Sequence, residues 1–457
     1  MSSSWLKPLA REWKSIVLAV VVANAAFMSL SLMAASMPRE PLKAKILQAF
    51  DDGSLPLETD REFRTWMFGN ECLILQMLLN PDESRFRKAV GPRVYYRADD
   101  QRQCHLVLSL ARQGRAADAP DYFRYTRYWH GHNAAAAALL SLMDFRALRI
   151  VLTTMAYGSL VVLAVAGWFA RASLRILGVS IAVTGMAVWG LQDFAHSLGN
   201  GPADSILILG FVVLLRFSRR DSRDGYPTCC AAFGAVVTYM EFFTGLLPIA
   251  AALLLPFGYF LARDAPTQAW RQAMSGVAAF VFGAAATVVI KQALAYAVFG
   301  GPVLESFIAN LHTYTQNLET IGIQGSDSHL KSAIYALGGM IWKWGKVLTY
   351  GNDLAARLLL LCSALAWSGA AFLAWRSRNA ARPGAFMACA AGAAIVVAWI
   401  AVFPSHSFGH GWFMVRVMLA PIALGWTALL IEAGGPGGHP RPALAGSGSE
   451  CSDIAAA

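Results

Sequence analysis

The chain has 457 residues, of which 56% are hydrophobic and only 14% are charged, and its net charge is +10. Soluble domains usually carry about 25% charged residues, so this composition argues against a soluble protein and favours one whose main solvent is lipid. The positive charge lies in short clusters between apolar segments, which is typical of membrane topology, and no nucleic-acid-binding motif accompanies it.

The first apolar segment covers residues 15–36 and follows Lys7, Arg11 and Lys14. It is longer than the roughly 7–15 apolar residues of a cleaved signal peptide, so we expect it to remain as the first membrane helix. The small residues at 34–36 leave cleavage as the alternative. The basic flank predicts a cytoplasmic N-terminus.

Residues 37–148 are too polar to span a membrane and are predicted to form a large periplasmic loop. Within it, the amphipathic stretches 62–79 and 121–143 are expected to be helices that lie along the membrane surface. Cys72 and Cys104 also fall in this loop. A periplasmic location permits a disulfide between them, but sequence spacing does not decide whether they pair.

Nine further apolar segments bring the predicted number of membrane helices to ten. The basic connections then all fall on the side of the N-terminus, as expected for cytoplasmic loops. We therefore predict an all-α polytopic membrane protein with a membrane domain at 1–433, a second periplasmic loop at 300–354 and a disordered cytoplasmic tail at 434–457. The nine segments are 150–170, 176–192, 203–217, 227–246, 248–262, 274–299, 355–375, 384–403 and 417–431.

The second periplasmic loop has two features of a membrane-surface segment. Pro302 to Leu318 carries apolar residues at helical spacing, which predicts a second surface helix. Trp342 and Trp344, with lysines beside them, are predicted to form an interfacial anchor.

Polar residues that are costly near a membrane converge on the predicted periplasmic side. Glu71 lies in a mostly apolar stretch, and Asp51 and Asp52 precede Gly53 in a turn. Acids, cations, histidines and aromatics at one face suit sugar transfer from a lipid phosphate. A carboxylate takes the proton of the attacking hydroxyl, and cations hold the leaving phosphate. The other candidates are Tyr128, Trp129, His130, Asp193, His196, Glu241, Lys291, His406, His410 and Arg416.

Several of these residues also have purely structural explanations. The Asp51-Asp52-Gly53 stretch is a good turn, and Lys291 could extend its amine to the membrane surface. Asp193 could cap a helix or pair with His196. The stretch around Trp129 could simply anchor the loop in the interface. His406 and His410 have a metal-ligand spacing, but no third ligand is evident, so no metal is predicted.

The sequence resembles the polyprenyl-phosphate-dependent membrane glycosyltransferases of the GT-C superfamily, and more narrowly bacterial arabinofuranosyltransferases and the pilin arabinosyltransferase. The resemblance implies a catalytic acid in the first periplasmic loop, here Glu71, where related proteins tend to carry Asp. It implies that His130, His406, His410 and Arg416 serve the lipid-phosphate site. Glu241 also stands where Asp is frequent. The segments that carry the resemblance are DDGSLP at 51–56, GNECL at 69–73, RYTRYWHG at 124–131, TYMEFFT at 238–244 and HSFGHGWFMVR at 406–416.

We therefore expect an enzyme of the bacterial inner membrane that transfers a sugar, with arabinofuranose as one candidate, from a polyprenyl-phosphate donor to a periplasmic protein or glycan. Glu71 is the expected base, with Asp51 or Asp52 second. Arg416, Lys291 and His130 are expected to stabilise the phosphate. The lipid-linked sugar is a substrate, so no cofactor is predicted. The alternatives are a lipid-linked glycan flippase or transporter, a polysaccharide polymerase or ligase, and a non-enzymatic assembly partner.

Overall fold

The computed structural model is almost entirely α-helical. It describes residues 7–57, 62–80, 84–95, 103–114, 122–127, 129–218, 224–241, 245–262, 266–349, 353–376 and 381–434. The predicted tail at 434–457 therefore lies, apart from its first residue, outside the described residues.

Seven helices in the described part of the chain are long and apolar enough to cross a membrane, so the protein is a polytopic all-α membrane protein. Most of these spans each correspond to one long helix, and the last consists of two α-helices with a 3-10 helix at Val415–Met418 between them. The helices are α1 (Lys7–Ala35), α7 (Phe145–Trp168), α10 (Asn200–Leu215), α13 (Pro266–Phe299), α16 (Asp353–Arg376), α17 (Ala381–Val402), and α19 (Gly411–Met414) with α20 (Leu419–Ala433).

Three of the ten predicted spans fall on shorter helices. These are α8 (Ala172–Val188), α11 (Tyr226–Met240) and α12 (Leu246–Leu261), with 17, 15 and 16 residues. α12 is buried on almost every side, between α13 and α17. A helix that is apolar all round is expected to be buried in this way.

The closest helix packing in the membrane region depends on small residues. A Cβ atom added to Gly234 of α11 would lie 2.0 Å from the carbonyl oxygen of Phe280, and one added to Gly283 of α13 would lie 2.0 Å from that of Ala231. Small side chains let two helix backbones approach closely in a membrane. α1 also packs against both helices, and Asn24 donates a hydrogen bond to Thr287 at 3.1 Å.

The polar segment after α1 folds as a layer of short helices and one two-stranded sheet. Cys72 of α3 and Cys104 of α5 form a disulfide with a Cα–Cα distance of 5.0 Å. The apolar faces of α2, α3, α5 and α6 form a core of their own, which includes Ile46, Leu75 and Val107. The elements are α2 (Arg39–Asp51), α3 (Glu62–Leu79), α4 (Arg85–Val90), β1 (Arg93–Tyr95), α5 (Gln103–Gln113), β2 (Tyr122–Arg124) and α6 (Gly131–Leu142).

The helix predicted at 62–79 is confirmed, but the helix predicted at 121–143 is wrong in its first half. Tyr122–Arg124 is instead a strand that pairs antiparallel with Arg93–Tyr95. Side chains in and directly after α3 hold the partner strand, because Gln76 accepts from the amide of Tyr95 and Asn80 donates to the carbonyl of Arg93. These contacts join distant segments, so local periodicity does not reveal them.

The second polar segment contains α14 (Pro302–Thr315) and α15 (His329–Thr349). The short helix α18 (Pro404–Gly409), which follows α17, packs against both. The helix predicted from Pro302 is confirmed, and it exposes Leu304 and Ile308. Of the two tryptophans predicted to form an interfacial anchor, Trp342 is 56% exposed, whereas Trp344 is 2% exposed and packs in a small core, so Trp344 does not serve as an anchor.

Candidate functional site

A buried ion-pair group lies where the last membrane span begins. Arg416 is fully buried, and its two terminal nitrogens lie 2.5 Å from Asp204 Oδ1 and 2.5 Å from Glu241 Oε1. The guanidinium also lies over the ring of Phe194, which belongs to the short helix α9 (Leu191–Phe194). We call Asp204, Glu241 and Arg416 the triad. Two acids from different helices thus share one cation.

The two acids of the triad differ in burial. Asp204 is 1% exposed, whereas the Glu241 side chain is 12% exposed. Each has one oxygen, Oδ2 of Asp204 and Oε2 of Glu241, that is buried and makes no hydrogen bond within the described residues. Asp204 was not among the residues predicted from the sequence. The available signal was an acid near the start of an otherwise apolar span, which is costly unless it is paired.

A second group lies between α13 and the loop that precedes α6. Lys291 is fully buried; its amine donates to the carbonyl of Val90 and lies 4.8 Å from the ring centre of Trp129. The neighbouring Gln292 donates to the carbonyls of Thr126 and Arg127. α13 therefore holds the loop in place. Lys291 therefore does not extend its amine to the membrane surface, which was the structural explanation considered for it.

His130 is buried at the start of α6, and its Nε2 lies 2.8 Å from the carbonyl oxygen of Tyr125. Burial lowers the pKa of His130 well below its usual value of 6.5, and the positive charges of Lys291 and His132 lower it further. The imidazole is therefore neutral near pH 7. The carbonyl at Nε2 assigns the proton to that nitrogen, which makes Nδ1 an acceptor.

A small cleft lies beside His130, at the end of α1. Its positive group is Lys88, which is 6% exposed and donates to the carbonyl of Leu78 at 2.6 Å. Glu71, Lys291 and Arg416 do not line this cleft. The lining residues are Ser31, Ala34, Ala35, Met77, Leu78, Lys88, Ala89, His130 and Asn133.

The first turn of α6 connects the cleft to the triad. His130 lines the cleft, and a Cβ atom added to the next residue, Gly131, would lie 2.7 Å from side-chain atoms of Tyr239 and Met240. Those two residues directly precede Glu241. His132 Nδ1 lies 3.4 Å from the carbonyl oxygen of Met240.

The histidine pair predicted in the last loop forms a third group. The ring centre of His406 lies 4.4 Å from that of Tyr314 and 4.5 Å from that of His410. Tyr314 accepts a hydrogen bond from Arg127 at 3.1 Å, which joins three polar segments of the chain. In the part of the chain that the structure describes, no three His, Cys, Asp or Glu side chains could hold a metal ion.

Glu71 lies in a separate ion pair. Its two oxygens accept hydrogen bonds from the two terminal nitrogens of Arg149, each at 3.0 Å, and Oε1 also accepts from the amide of Leu198 at 2.9 Å. Arg149 additionally donates to the carbonyls of Ser54 and His196. Glu71 is fully buried, and both of its oxygens accept hydrogen bonds from Arg149. This ion pair was not predicted from the sequence.

The remaining predicted acids of the first loop do not join the triad. Asp51 is exposed at the end of α2. Asp52 Oδ1 accepts from the amide of Ser54 at 2.9 Å, and hydrogen bonding to Ser54 lowers the pKa of Asp52. Gly53 has a φ of +73°, so the Asp51-Asp52-Gly53 stretch forms a turn, as its structural explanation predicted. Asp193 is 3% exposed in α9, and Tyr128 lies outside the described residues.

Compared with known proteins, the chain matches no protein-family model, no curated protein and no solved structure. The function must therefore be argued from the chemistry of the site.

Proposed function

We propose that the protein is a membrane glycosyltransferase that moves a sugar from a polyprenyl-phosphate donor to a periplasmic protein or glycan, at the outer face of the bacterial inner membrane. The observation that carries this proposal is the first turn of α6, which lines a cleft containing Lys88 and contacts the residues next to Glu241. A positive cleft and a partly exposed carboxylate thus share one short segment.

The cleft has the chemistry expected of a site for a lipid-linked anion. Lys88 supplies positive charge, and Ala34 and Met77 supply apolar walls. The cleft lies at the end of a membrane-spanning helix, where Met33 is 68% exposed and can contact a lipid chain. A donor with a phosphate head and a prenyl tail requires both surfaces together.

We assign the base to Glu241 rather than to Glu71, because both oxygens of Glu71 are held by Arg149. Glu241 Oε2 is buried and makes no hydrogen bond within the described residues, so it keeps a lone pair for the proton of a hydroxyl that enters beside it. The acceptor oxygen then bonds to the anomeric carbon of the sugar as the bond from that carbon to the phosphate oxygen breaks. Lys88, in the cleft, offsets the charge that grows on the leaving phosphate, and Arg416 contributes its positive charge from outside the cleft.

The proposed topology has ten spans, with α8, α11 and α12 as short ones that pack against longer helices. Both termini then lie in the cytoplasm, and 37–148 and 300–354 lie in the periplasm. The disulfide between Cys72 and Cys104 supports this orientation, because disulfides persist in oxidising compartments.

Transfer by purified protein in lipid nanodiscs tests the proposal. With a panel of polyprenyl-phosphate sugars, we expect release of polyprenyl phosphate from at least one donor. Glu241→Gln should lower the rate by about 100-fold or more, as expected for loss of a general base. Glu305→Gln is the matched control, because Glu305 is exposed in α14. Wild-type transfer by Glu241→Gln would remove the base assignment, and no release from any donor would refute the enzymatic function.

A further inference from the structure

The triad has an unbalanced charge. If Asp204 and Glu241 are both ionised, the single guanidinium of Arg416 leaves the buried group with a net charge of −1. An uncompensated charge is unfavourable in a protein interior, where water does not solvate it. The group therefore needs a second positive charge or a proton.

The other charged groups around α10 and α11 do not supply that charge. Arg149 of α7 is paired with Glu71, and the amine of Lys291 in α13 binds the carbonyl of Val90. At the N-terminus of α11, Glu12 of α1 accepts from Thr228. Burial lowers the pKa of His132 in α6 to about 4, so that imidazole is neutral near pH 7.

Beyond these helices, the segments nearest to Arg416 also carry ionisable groups. Asp193, buried in α9, is a further acid and so adds no positive charge. In α15, the amine of Lys343 donates to the carbonyl of Phe408 at 2.9 Å. In the described part of the chain, Arg416 is the one cation that forms an ion pair with either acid of the triad.

We propose that Asp204 holds a proton in the resting protein, so that Asp204 is an un-ionised carboxylic acid while Glu241 is ionised. Asp204 is the more deeply buried acid, at 1% against 12% exposed, so ionising it costs more. Its Oδ2 makes no hydrogen bond within the described residues and can carry the proton. Glu241 keeps the ionised form that accepts from Arg416.

This arrangement makes Asp204 a positioning residue for the proposed reaction, and this role rests on the function proposed above. With Asp204 protonated, the triad is neutral before transfer. When Glu241 takes the proton of the acceptor hydroxyl, the triad becomes +1, while the leaving phosphate gains one negative charge. With an ionised Asp204, the triad would instead change from −1 to 0, so no net positive charge would face the leaving phosphate.

Infrared spectroscopy of the protein in detergent at neutral pH tests the proposal without any turnover. The wild type should show the carbonyl band of a buried un-ionised carboxylic acid. Asp204→Asn should lose that band, and Glu241→Gln should keep it. Loss of the band in Glu241→Gln but not in Asp204→Asn would place the proton on Glu241 and overturn the proposal, as would a wild type without the band.

A pH profile of transfer gives the second measurement. Asn has the shape of a protonated Asp, so Asp204→Asn should lower the rate by no more than about tenfold, against about 100-fold or more for Glu241→Gln. In the wild type, ionisation of Asp204 should lower the transfer rate at high pH. The rate of Asp204→Asn should not fall in this pH range. An unchanged profile would contradict the positioning role. The infrared result stands by itself if no transfer is found, so the two proposals fail separately.

Discussion

The ion pair between Glu71 and Arg149 is expected to contribute to the free energy of unfolding. Glu71 is fully buried, and Arg149 is 16% exposed on its side chain. Glu71→Gln removes the carboxylate that faces the guanidinium. Removal of one partner from a buried ion pair costs about 3–5 kcal/mol. Arg149 retains the carbonyls of Ser54 and His196, so we expect the lower end, about 3 kcal/mol.

Chemical unfolding of the purified protein in detergent measures this difference, with Glu305→Gln as the control for the loss of one acid. The double variant Glu71→Met with Arg149→Met is the matched comparison, because it removes both charges of the ion pair at once. Replacement of both charges by apolar groups is often neutral or stabilising, so the double variant should be more stable than Glu71→Gln.

The transfer assay separates this structural role from a chemical one. If Glu71→Gln unfolds like the wild type and yet loses sugar transfer, Glu71 is the base that the family resemblance implied, and the reasoning from the ion pair is refuted. If it is destabilised and the folded fraction still transfers sugar, Glu71 is structural.

Two further predictions concern the first polar segment. Replacing both Cys72 and Cys104 by Ser should lower the free energy of unfolding by about 3–4 kcal/mol, because the disulfide closes a loop of 32 residues. The reduced wild-type protein should have the same free energy of unfolding as the double variant. If the double variant were as stable as the oxidised wild type, this prediction would be wrong. Because the native pKa of His130 is lowered, stability should fall as pH drops below about 6.5, where only the unfolded chain binds the proton. His130→Gln should weaken this pH dependence in unfolding measurements, whereas an identical pH profile would be incompatible with a buried neutral His130.

The sequence by itself determined the membrane character and most helices of this protein. Apolar segments of about 20 residues identify spans without any knowledge of their neighbours, since the backbone satisfies its own hydrogen bonds within a helix. The helix Pro302–Thr315 was predicted from the helical spacing of its apolar residues. The disulfide was permitted by sequence but not decided.

Only the tertiary structure decided which charges meet. Asp204 and Arg416 are 212 residues apart in sequence, and Glu71 and Arg149 are 78 apart. A buried charge signals that a partner is needed, but it carries no information about which one, because long-range pairing depends on helix packing. The structure therefore places both oxygens of Glu71 in an ion pair, whereas Asp204 and Glu241 each keep one oxygen without a hydrogen bond within the described residues.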